Sequence, residues 1–234
     1  MHRDVTSPDV VPWSIHHVVE TGSTNSDLVE MALAGAPDRT VVVADHQTAG
    51  RGRLERSWDA PWGTNLLASL LFRSVPPAGP HRLTQQVAVA ALRACHRISH
   101  VRPQLKWPND LVIDGAKLAG ILAEARATEG NLDIVVVGIG LNLGWAPPGA
   151  TCLGGVDRDE FLQALLGAFD EGSSVDEYRA ELSTLGQLVR VETFDRTFDG
   201  IAESVSASGS LMVRVGSELL EMHVGDVVHL RAVT

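Results

Sequence analysis

The sequence predicts an α+β fold with a small all-β unit at its C-terminal end. Between residues 14 and 185, segments with strand patterns and segments with helical spacing intermix without strict alternation. From Gly186 the chain changes to short β-rich runs separated by glycine and polar turns, the pattern of a small β-barrel. We therefore expect one domain over residues 1–185 and a second, barrel domain over residues 186–234.

The first part of the chain predicts three strands, one helix and a long loop. SIHHVVE at 14–20 predicts a strand, and Ser23, Thr24 and Asn25 then offer capping groups for an amphipathic helix through Ala34. TVVVAD at 40–45 predicts a buried strand. The next segment, HQTAGRGRLERSWDAPWG, has no periodicity, and such long loops in compact domains are usually functional. The strand TNLLASLLF follows this loop.

The remaining elements follow from spacing and turn residues. LTQQVAVAALRACHRI has helical spacing, and LKWPND, LVIDG and AKLAGILAEA predict strands around a tight turn at Asp114 and Gly115. DIVVVGIGLNL at 133–143 predicts a strand, and two helical segments follow between about Arg158 and Leu185. VRVETF, GIAESVSA, LMVRV, ELLEMHV and VVHLRAV predict the strands of the barrel.

Composition narrows the class of protein. The 234 residues are 44% hydrophobic and 21% charged, which is ordinary for a globular chain, and no apolar run reaches the roughly 18 residues of a spanning helix. A formal charge of −10 argues against duplex DNA as a partner. Two cysteines without metal-ligand spacing indicate neither a disulfide framework nor a zinc site. We expect a cytoplasmic protein that binds neither DNA nor membrane.

The chain has only two lysines, and both fall in one short stretch, at Lys106 and Lys117. The alternative is that the arginine-rich composition reflects codon usage and that the two lysines remain by chance, so their neighbours decide whether they carry chemistry. Lys106 lies in KWPND, where Asn109 offers an amide and Asp110 can bind a magnesium water or accept a proton. Lys117 follows the predicted tight turn and can project toward the same pocket. A structural turn is the alternative for this segment.

The glycine- and arginine-rich loop suits a phosphate-bearing ligand. Its glycines let the main chain approach oxyanions, Arg51 and Arg53 can hold a carboxylate or phosphate, and Trp58 can stack on a purine. Taken alone, the segment is equally compatible with a solvated surface loop or an RNA-binding tract.

Five motifs, in order and spacing, resemble the biotin protein ligase family over nearly the whole chain: GSTN at 22–25, QTAGRGRxxRxW at 47–58, KWPND at 106–110, KLAGIL at 117–122 and GxGLNL at 138–143. The resemblance implies a catalytic domain like that of class II aminoacyl-tRNA synthetases, a mixed sheet flanked by helices, fused to a small SH3-like β-barrel. It implies two reactions. Biotin and ATP give biotinyl-5′-AMP and pyrophosphate, and the biotinyl group then passes to a lysine of a biotin carboxyl carrier protein domain of an acyl-CoA carboxylase.

The resemblance also implies residue roles. The biotin site would be formed by Ser23, Thr24, Asn25, Gln47, Gly50, Arg51, Lys117 and Gly120. ATP would be bound by Arg53, Trp58, Lys106, Asn109 and Asn142. The catalytic residues would be Lys117, Arg51, Arg53 and Asp110, with Lys117 neutralising charge in the transition state. Mg²⁺ would arrive with ATP and contact Asp110, with no metal site assigned directly.

One position departs from the family pattern. Glu55 stands where the family usually has glycine, and a carboxylate there can pair with Arg53 or Arg56, which would alter the conformation of the loop and retention of the adenylate. We hypothesise further that Asp110 accepts a proton from the acceptor lysine in the second reaction.

Three other functions are compatible with parts of the sequence. A lipoate or octanoate ligase or transferase of the sister family would share the fold, but the GRGRxxRxW loop with KWPND favours biotin. A ligase that doubles as a DNA-binding repressor would need an N-terminal helix-turn-helix, for which the strand at Ser14 leaves no room. A ligand-binding module without catalysis is disfavoured by the intact motif around Lys117.

Overall fold

The computed structural model describes residues 11–53, 56–73, 75–76, 79–128, 131–192, 197–206, 208–222 and 226–229. Strands of the first sheet are β1 (Ser14–Thr21), β2 (Thr40–Gln47), β3 (Leu66–Phe72), β4 (Gln104–Lys106), β5 (Asp110–Ile113), β6 (Ala116–Thr128) and β7 (Asn131–Leu141). The helices are α1 (Thr24–Leu33), α2 (Pro80–Ser99), α3 (Arg158–Asp170) and α4 (Val175–Ala180). The sheet order is β1-β2-β3-β7-β6-β5-β4, with β1 and β2 parallel and the other pairs antiparallel.

The predicted mixed sheet flanked by helices is confirmed, and strand alternation explains how both of its faces are covered. In β2, Val41 and Val43 face the core under α2 and α3, while Val42 between them faces α1. In β7, Val135 and Val137 face the first core, and Val136 faces α1. Successive side chains of a strand point to opposite faces, so strands buried on both sides appear in the sequence as unbroken apolar runs.

Local signals set the ends of the helices. Asp157 caps α3 by accepting a hydrogen bond from the Glu160 backbone N–H at 2.8 Å. Helix α2 begins at Pro80, whose missing N–H costs nothing at the first helical position, after Gly79 in the left-handed region. The predicted tight turn between β5 and β6 is present, because Asp114 and Gly115 both have positive φ, as a type I′ turn requires.

A second sheet follows, formed by β8 (Leu188–Glu192), β9 (Thr197–Val205), β10 (Leu211–Val215), β11 (Glu218–Met222) and β12 (Asp226–His229). Its strands are antiparallel in the order β11-β10-β9-β8-β12. In the described part of the chain the pairings connect five strands in a row without joining β11 to β12. The separate C-terminal β unit is therefore present, while the closed barrel stays a prediction.

The two sheets are joined through the β4 strand and the segment after α4. The Leu105 N–H donates to Glu181 O at 2.9 Å, and the Trp107 N–H donates to the Thr184 hydroxyl at 3.0 Å. The Trp107 indole N–H also donates to Gly209 O, in the connection between β9 and β10 of the second sheet, at 2.9 Å. Within the ranges given above, no helix has the length and hydropathy needed to cross a bilayer.

Candidate active site

The candidate site is a cavity on the α1 face of the first sheet, and the sequence makes room for it by changing side-chain size along β7. Ile134 and Val136 on this face pack against α1, but the next two residues on the same face are Gly138 and Gly140. A Cβ on Gly138 would lie 2.2 Å from Asn25 Oδ1, so glycine is needed for the approach of α1. On this face of β7, Ile134 and Val136 therefore pack against α1, whereas Gly138 and Gly140 line the cavity.

One corner of the cavity is a buried polar cluster at the start of α1. Gln47 Oε1, at the end of β2, accepts hydrogen bonds from the Thr24 backbone N–H at 2.8 Å and the Thr24 hydroxyl at 3.0 Å. The Ser69 hydroxyl from β3 lies 2.6 Å from Asn25 Oδ1 and 2.8 Å from Thr24 Oγ1. Ser23 is buried at the N-cap of α1. The GSTN motif and Gln47, far apart in sequence, thus form one polar surface.

The arginine loop, which the structure describes at residues 48–53 and 56–57, contributes Arg51, Gly52, Arg53, Arg56 and Ser57 to the lining of the cavity. Backbone hydrogen bonds fold it back on itself, from Trp58 N–H to Gly50 O at 2.9 Å and from Gly52 N–H to Arg56 O at 2.7 Å. A Cβ on Gly50 would lie 2.4 Å from Trp58 O, which explains the glycine there. Glu55, the predicted departure from the family pattern, lies outside the described residues.

Trp58 lies flat against the glycine floor of the cavity. A Cβ on Gly140 would come within 2.4 Å of its Cε2 atom, and one on Gly120 within 3.1 Å of its Cζ3 atom. Lys117 Nζ lies 5.6 Å from the centre of the ring, which is within the range of a cation–π contact. The absence of side chains at Gly120 and Gly140 therefore allows the Trp58 ring to pack beside Lys117.

Lys117 forms an ion pair with Asp110 inside the cavity. Its Nζ lies 2.7 Å from Asp110 Oδ1, across the β5–β6 hairpin. Asn109 donates from Nδ2 to Ile121 O at 2.6 Å and accepts from Arg53 Nη1 at 3.5 Å. The KWPND and KLAGIL motifs thus place an ammonium, a carboxylate and an amide together beside the arginine loop.

Asn142 lines the cavity with its side chain engaged in the protein. Its Oδ1 accepts from Asn65 Nδ2 at 3.1 Å, and its Nδ2 donates to Thr151 O at 3.0 Å. The Thr151 N–H in turn donates to Lys117 O at 2.9 Å. The carboxamide therefore holds the segment after β7 against the strand that carries Lys117.

The cavity carries an excess of positive charge although the chain as a whole is acidic. Its described lining includes the cations Arg51, Arg53, Arg56 and Lys117 and, with opposite charge, Asp59 and Asp110. Such a local field attracts anionic ligands such as carboxylates and phosphates.

The structure brings together most of the residues that the sequence singled out. The cavity is lined by Ser23, Thr24, Asn25, Gln47, Arg51, Arg53, Trp58, Asn109, Asp110, Lys117, Gly120 and Asn142. Gly50 shapes the loop from behind, and Lys106 lies on β4 without lining the cavity, so its contact with phosphate stays a prediction.

Sequence reasoning missed several residues of the site. Ser69 and Glu124 are buried or half-buried polar residues on strands, and the buried Asn65 lies directly before β3. An isolated polar residue in or beside an apolar run is the signal that points to them. Gly138 and Gly140 were visible as glycines within a strand pattern, which often mark the close approach of another group.

The fold and the cavity are those of a ligase that attaches a cofactor to a protein. The chain belongs to the biotin/lipoate A/B protein ligase family, whose sequence model matches residues 19–142. It is similar to the biotin–acetyl-CoA-carboxylase ligase of Mycobacterium tuberculosis, with 37% identity covering 92% of this chain and 88% of that protein. It is also similar to the bifunctional ligase/repressor BirA of Bacillus subtilis, with 30% identity covering 91% of this chain and 73% of that one.

The fold is shared with solved biotin protein ligases. The ligase from Aquifex aeolicus, in complex with biotin and ATP, superposes with a TM-score of 0.77 and 25% identity, covering 94% of this chain and 99% of that one. The ligase from Leishmania major in complex with biotin has a TM-score of 0.64 and 25% identity, covering 95% of this chain and all of that one, 100%.

Proposed function

We propose that this protein is an ATP-dependent biotin–protein ligase. The observation that carries the proposal is the cavity itself, where Lys117 and the arginine loop meet beside Trp58 and the polar cluster of Ser23, Thr24, Asn25 and Gln47. A site for this reaction needs polar groups for a neutral head group, cations for a carboxylate and a triphosphate, and an aromatic surface for adenine. The chain's similarity to named biotin ligases favours biotin over lipoate as the substrate.

In the first reaction, a carboxylate oxygen of biotin attacks the α-phosphorus of ATP, and the bond to the β-phosphate oxygen breaks, releasing pyrophosphate. Negative charge builds at the α-phosphate, and Lys117, Arg51 and Arg53 are placed to stabilise it. We assign the biotin head group to Ser23, Thr24, Asn25 and Gln47, with Gly120 lining its channel. Adenine would lie on Trp58. Asn142 would act at its edge while holding the neighbouring segment in place.

In the second reaction, the amine of the carrier lysine attacks the carbonyl carbon of biotinyl-5′-AMP. A C–N bond forms, the C–O bond to the phosphate breaks, AMP leaves, and the nitrogen loses a proton. We propose that Asp110 accepts this proton, because it is a carboxylate in the cavity whose distance of 2.7 Å from Lys117 puts it beside the reacting group. No enzyme nucleophile is required.

Mg²⁺ fits the site as an ion that enters with ATP. Among the described residues no group of three or more His, Cys, Asp or Glu side chains is arranged as a metal site. Mg²⁺ characteristically uses one or two carboxylates together with substrate phosphates and waters, and Asp110, with the Asn109 amide oxygen nearby, fits that need. The ion would neutralise phosphate charge, while Lys106 on β4 would contact the phosphates from outside the lining.

We propose the following organisation of the chain. Residues 1–185 would form the ligase domain, with an arrangement like that of class II aminoacyl-tRNA synthetases, and residues 186–234 would form an SH3-like barrel. The acceptor would be a biotin carboxyl carrier protein domain, as the names of the relatives suggest. The compartment would be the cytoplasm.

Biotin-dependent exchange between ATP and pyrophosphate tests the proposal. We expect exchange with biotin and none with lipoate. In Lys117→Ala the rate should fall by about 10²–10³, the usual cost of removing one preorganised charge stabiliser. Arg214→Ala, in the second sheet away from the cavity, serves as the matched loss of a cation and should keep the wild-type rate. Exchange with lipoate alone, or full activity in Lys117→Ala, would refute the assignment.

A further inference from the structure

A single carboxylate on β6 joins the arginine loop to the start of α1. Glu124 Oε1 accepts a hydrogen bond from Arg51 Nη2 at 3.0 Å and another from Asn25 Nδ2 at 3.1 Å. Its second oxygen, Oε2, lies 3.4 Å from Arg126 Nη2 at the outer side of the strand. The Arg51 guanidinium also donates to the Ser26 hydroxyl at 2.9 Å. Arg51 is thus held between β6 and the first turn of α1.

These contacts continue the polar cluster that we assign to the biotin head group. Asn25, which donates to Glu124, receives the Ser69 hydroxyl at 2.6 Å on its oxygen. The Ser69 hydroxyl also lies 2.8 Å from Thr24 Oγ1, and Thr24 donates to Gln47. A chain of hydrogen bonds therefore runs from Arg51 through Glu124 to the floor of the head-group corner. Because the hydrogen bonds are connected, a change at Arg51 or Glu124 affects the hydrogen bonds of the other residues in the chain.

Glu124 is less exposed than its partner Arg51 and is more firmly placed, because it lies within a strand. Its side chain is 16% exposed, and its strand pairs with β7 opposite the buried Val136. Arg51 is 46% exposed and belongs to a loop. Hydrogen bonds to ionised groups are shorter and stronger than neutral ones, and Glu124 offers a charged acceptor fixed on a sheet. The sheet therefore orients the arginine rather than the reverse.

We infer, on the basis of the proposed function, that Glu124 is a positioning residue of the ligase. Its carboxylate orients Arg51 over the cavity and at the same time fixes the carboxamide of Asn25. Glu124 does not touch the reacting atoms. It acts through Arg51, which neutralises charge on the adenylate, and through Asn25, which shapes the head-group corner. Binding of biotin and retention of biotinyl-5′-AMP therefore depend on this carboxylate.

Glu124→Gln tests the inference, because it keeps the size of the side chain and a hydrogen-bond acceptor for Asn25 but removes the charge that holds Arg51. We expect KM for biotin and the dissociation rate of biotinyl-5′-AMP each to rise about tenfold, the lower range for a charge-assisted hydrogen bond. The kcat of exchange should change less, since the lost interaction serves binding before the chemical step. Trypsin should cleave the variant faster after Arg51 and Arg53.

Two control variants separate positioning from general effects. Arg126→Gln removes a cation from the same carboxylate without touching the loop, and we expect wild-type KM and cleavage rate. Glu203→Gln breaks a similar carboxylate–arginine pair in the second sheet and should also match the wild type. A double-mutant cycle compares the double variant Arg51→Gln/Glu124→Gln with Arg51→Gln alone. Biotin binding should be no weaker in the double variant, because both substitutions remove the same interaction. Thermal unfolding of each variant verifies that it is folded.

The outcomes distinguish this inference from the proposed function. If wild type exchanges pyrophosphate with biotin but Glu124→Gln keeps its KM, adenylate retention and cleavage rate, the positioning role is wrong. Equal losses in Arg126→Gln, or additive effects in the cycle, would also overturn it. If wild type itself shows no exchange, the proposed function fails, and the trypsin comparison alone still decides whether Glu124 holds Arg51. A Glu124→Gln chain that does not fold would refute a role confined to positioning.

Discussion

At the residue scale, Lys117 and Asp110 share one ion pair but have different roles in the proposed reactions. The lysine stays in place as a positive charge for the phosphate, whereas the carboxylate can take up a proton. The acceptor lysine needs such help, because a free lysine amine has a pKa of about 10.4 and is almost fully protonated at neutral pH. The pair thus divides charge stabilisation from proton transfer between its two members.

Asp110→Ala should slow the transfer of the biotinyl group to the carrier. Loss of a general base typically reduces a rate by 10²–10⁴-fold, so we expect a fall of at least about 10² in single-turnover transfer from preformed biotinyl-5′-AMP. Asp59 also lines the cavity, but its carboxylate accepts a hydrogen bond from the Ser57 hydroxyl at 2.9 Å. Asp59→Asn is therefore the matched control, because it removes a carboxylate charge from the lining but not the proposed base. An unchanged transfer rate in Asp110→Ala would exclude the carboxylate as the base.

Gly140→Ala should weaken ATP binding by moving Trp58. The added Cβ would lie 2.4 Å from Trp58 Cε2, which real Cβ contacts do not allow, so the ring must leave the sheet surface. Aromatic stacking on a base is worth about 1–3 kcal/mol, and we expect KM for ATP to rise by about tenfold or more. Exchange assays at varied ATP concentration measure this. An unchanged KM for ATP in Gly140→Ala would show that adenine does not stack on Trp58.

At the element scale, α3 shows how a helix can be improved without touching the site. Gly167 lies on its exposed side, and a Cβ there would meet no atom within 4 Å. Gly167→Ala should raise the free energy of unfolding by about 0.5–1 kcal/mol, because alanine loses less backbone entropy than glycine on folding. Chemical denaturation measures the gain, and pyrophosphate exchange should not change. Lower stability would mean that the helix needs glycine for packing.

Elements with a clear period or a defined cap could be predicted from the sequence. The strands β2 and β3 appear as apolar runs, and the turn at Asp114 and Gly115 follows from residues that tolerate positive φ. The ends of elements were predicted less accurately. Helix α2 begins at Pro80, three positions before the predicted Leu83, because proline is favoured at the first helical position but does not contribute to the apolar spacing on which the prediction was based. The closure of the second sheet depends on long-range pairing, which periodicity does not contain.

The site divides in the same way. Residues in motifs, such as Lys117 and Asp110, could be placed together because a short hairpin connects them. Glu124 could not, since its partners Arg51 and Asn25 are 73 and 99 residues away in sequence. Their meeting depends on the register of β6 against β7 and on the direction of α1, and neither is encoded in local spacing.

At the scale of the whole molecule, the two sheets share one apolar core. Val41 and Val137 of the first sheet and Val191 and Val213 of the second belong to the same buried cluster. One hydrogen bond, from the Trp107 indole N–H to Gly209 O between β9 and β10, connects the KWPND segment to the second sheet. Shared burial of this kind favours unfolding as one cooperative unit. The second sheet therefore supports the segment between β4 and β5 that leads to Asn109 and Asp110, although it contributes no described residue to the cavity lining.

Arg179→Ala tests this coupling between the sheets. Arg179, in α4, donates from Nε at 3.0 Å and from Nη2 at 2.6 Å to Val205 O at the end of β9. We expect the free energy of unfolding to fall by about 1–3 kcal/mol, since a carbonyl that accepts from a charged group loses its partner. Denaturation followed by tryptophan fluorescence and by circular dichroism should give one coincident transition in the wild type. Arg190→Ala, which removes an exposed pair with Asp199 within the second sheet, should leave stability unchanged. Separate transitions in the wild type, or equal effects of the two variants, would show that the sheets fold independently.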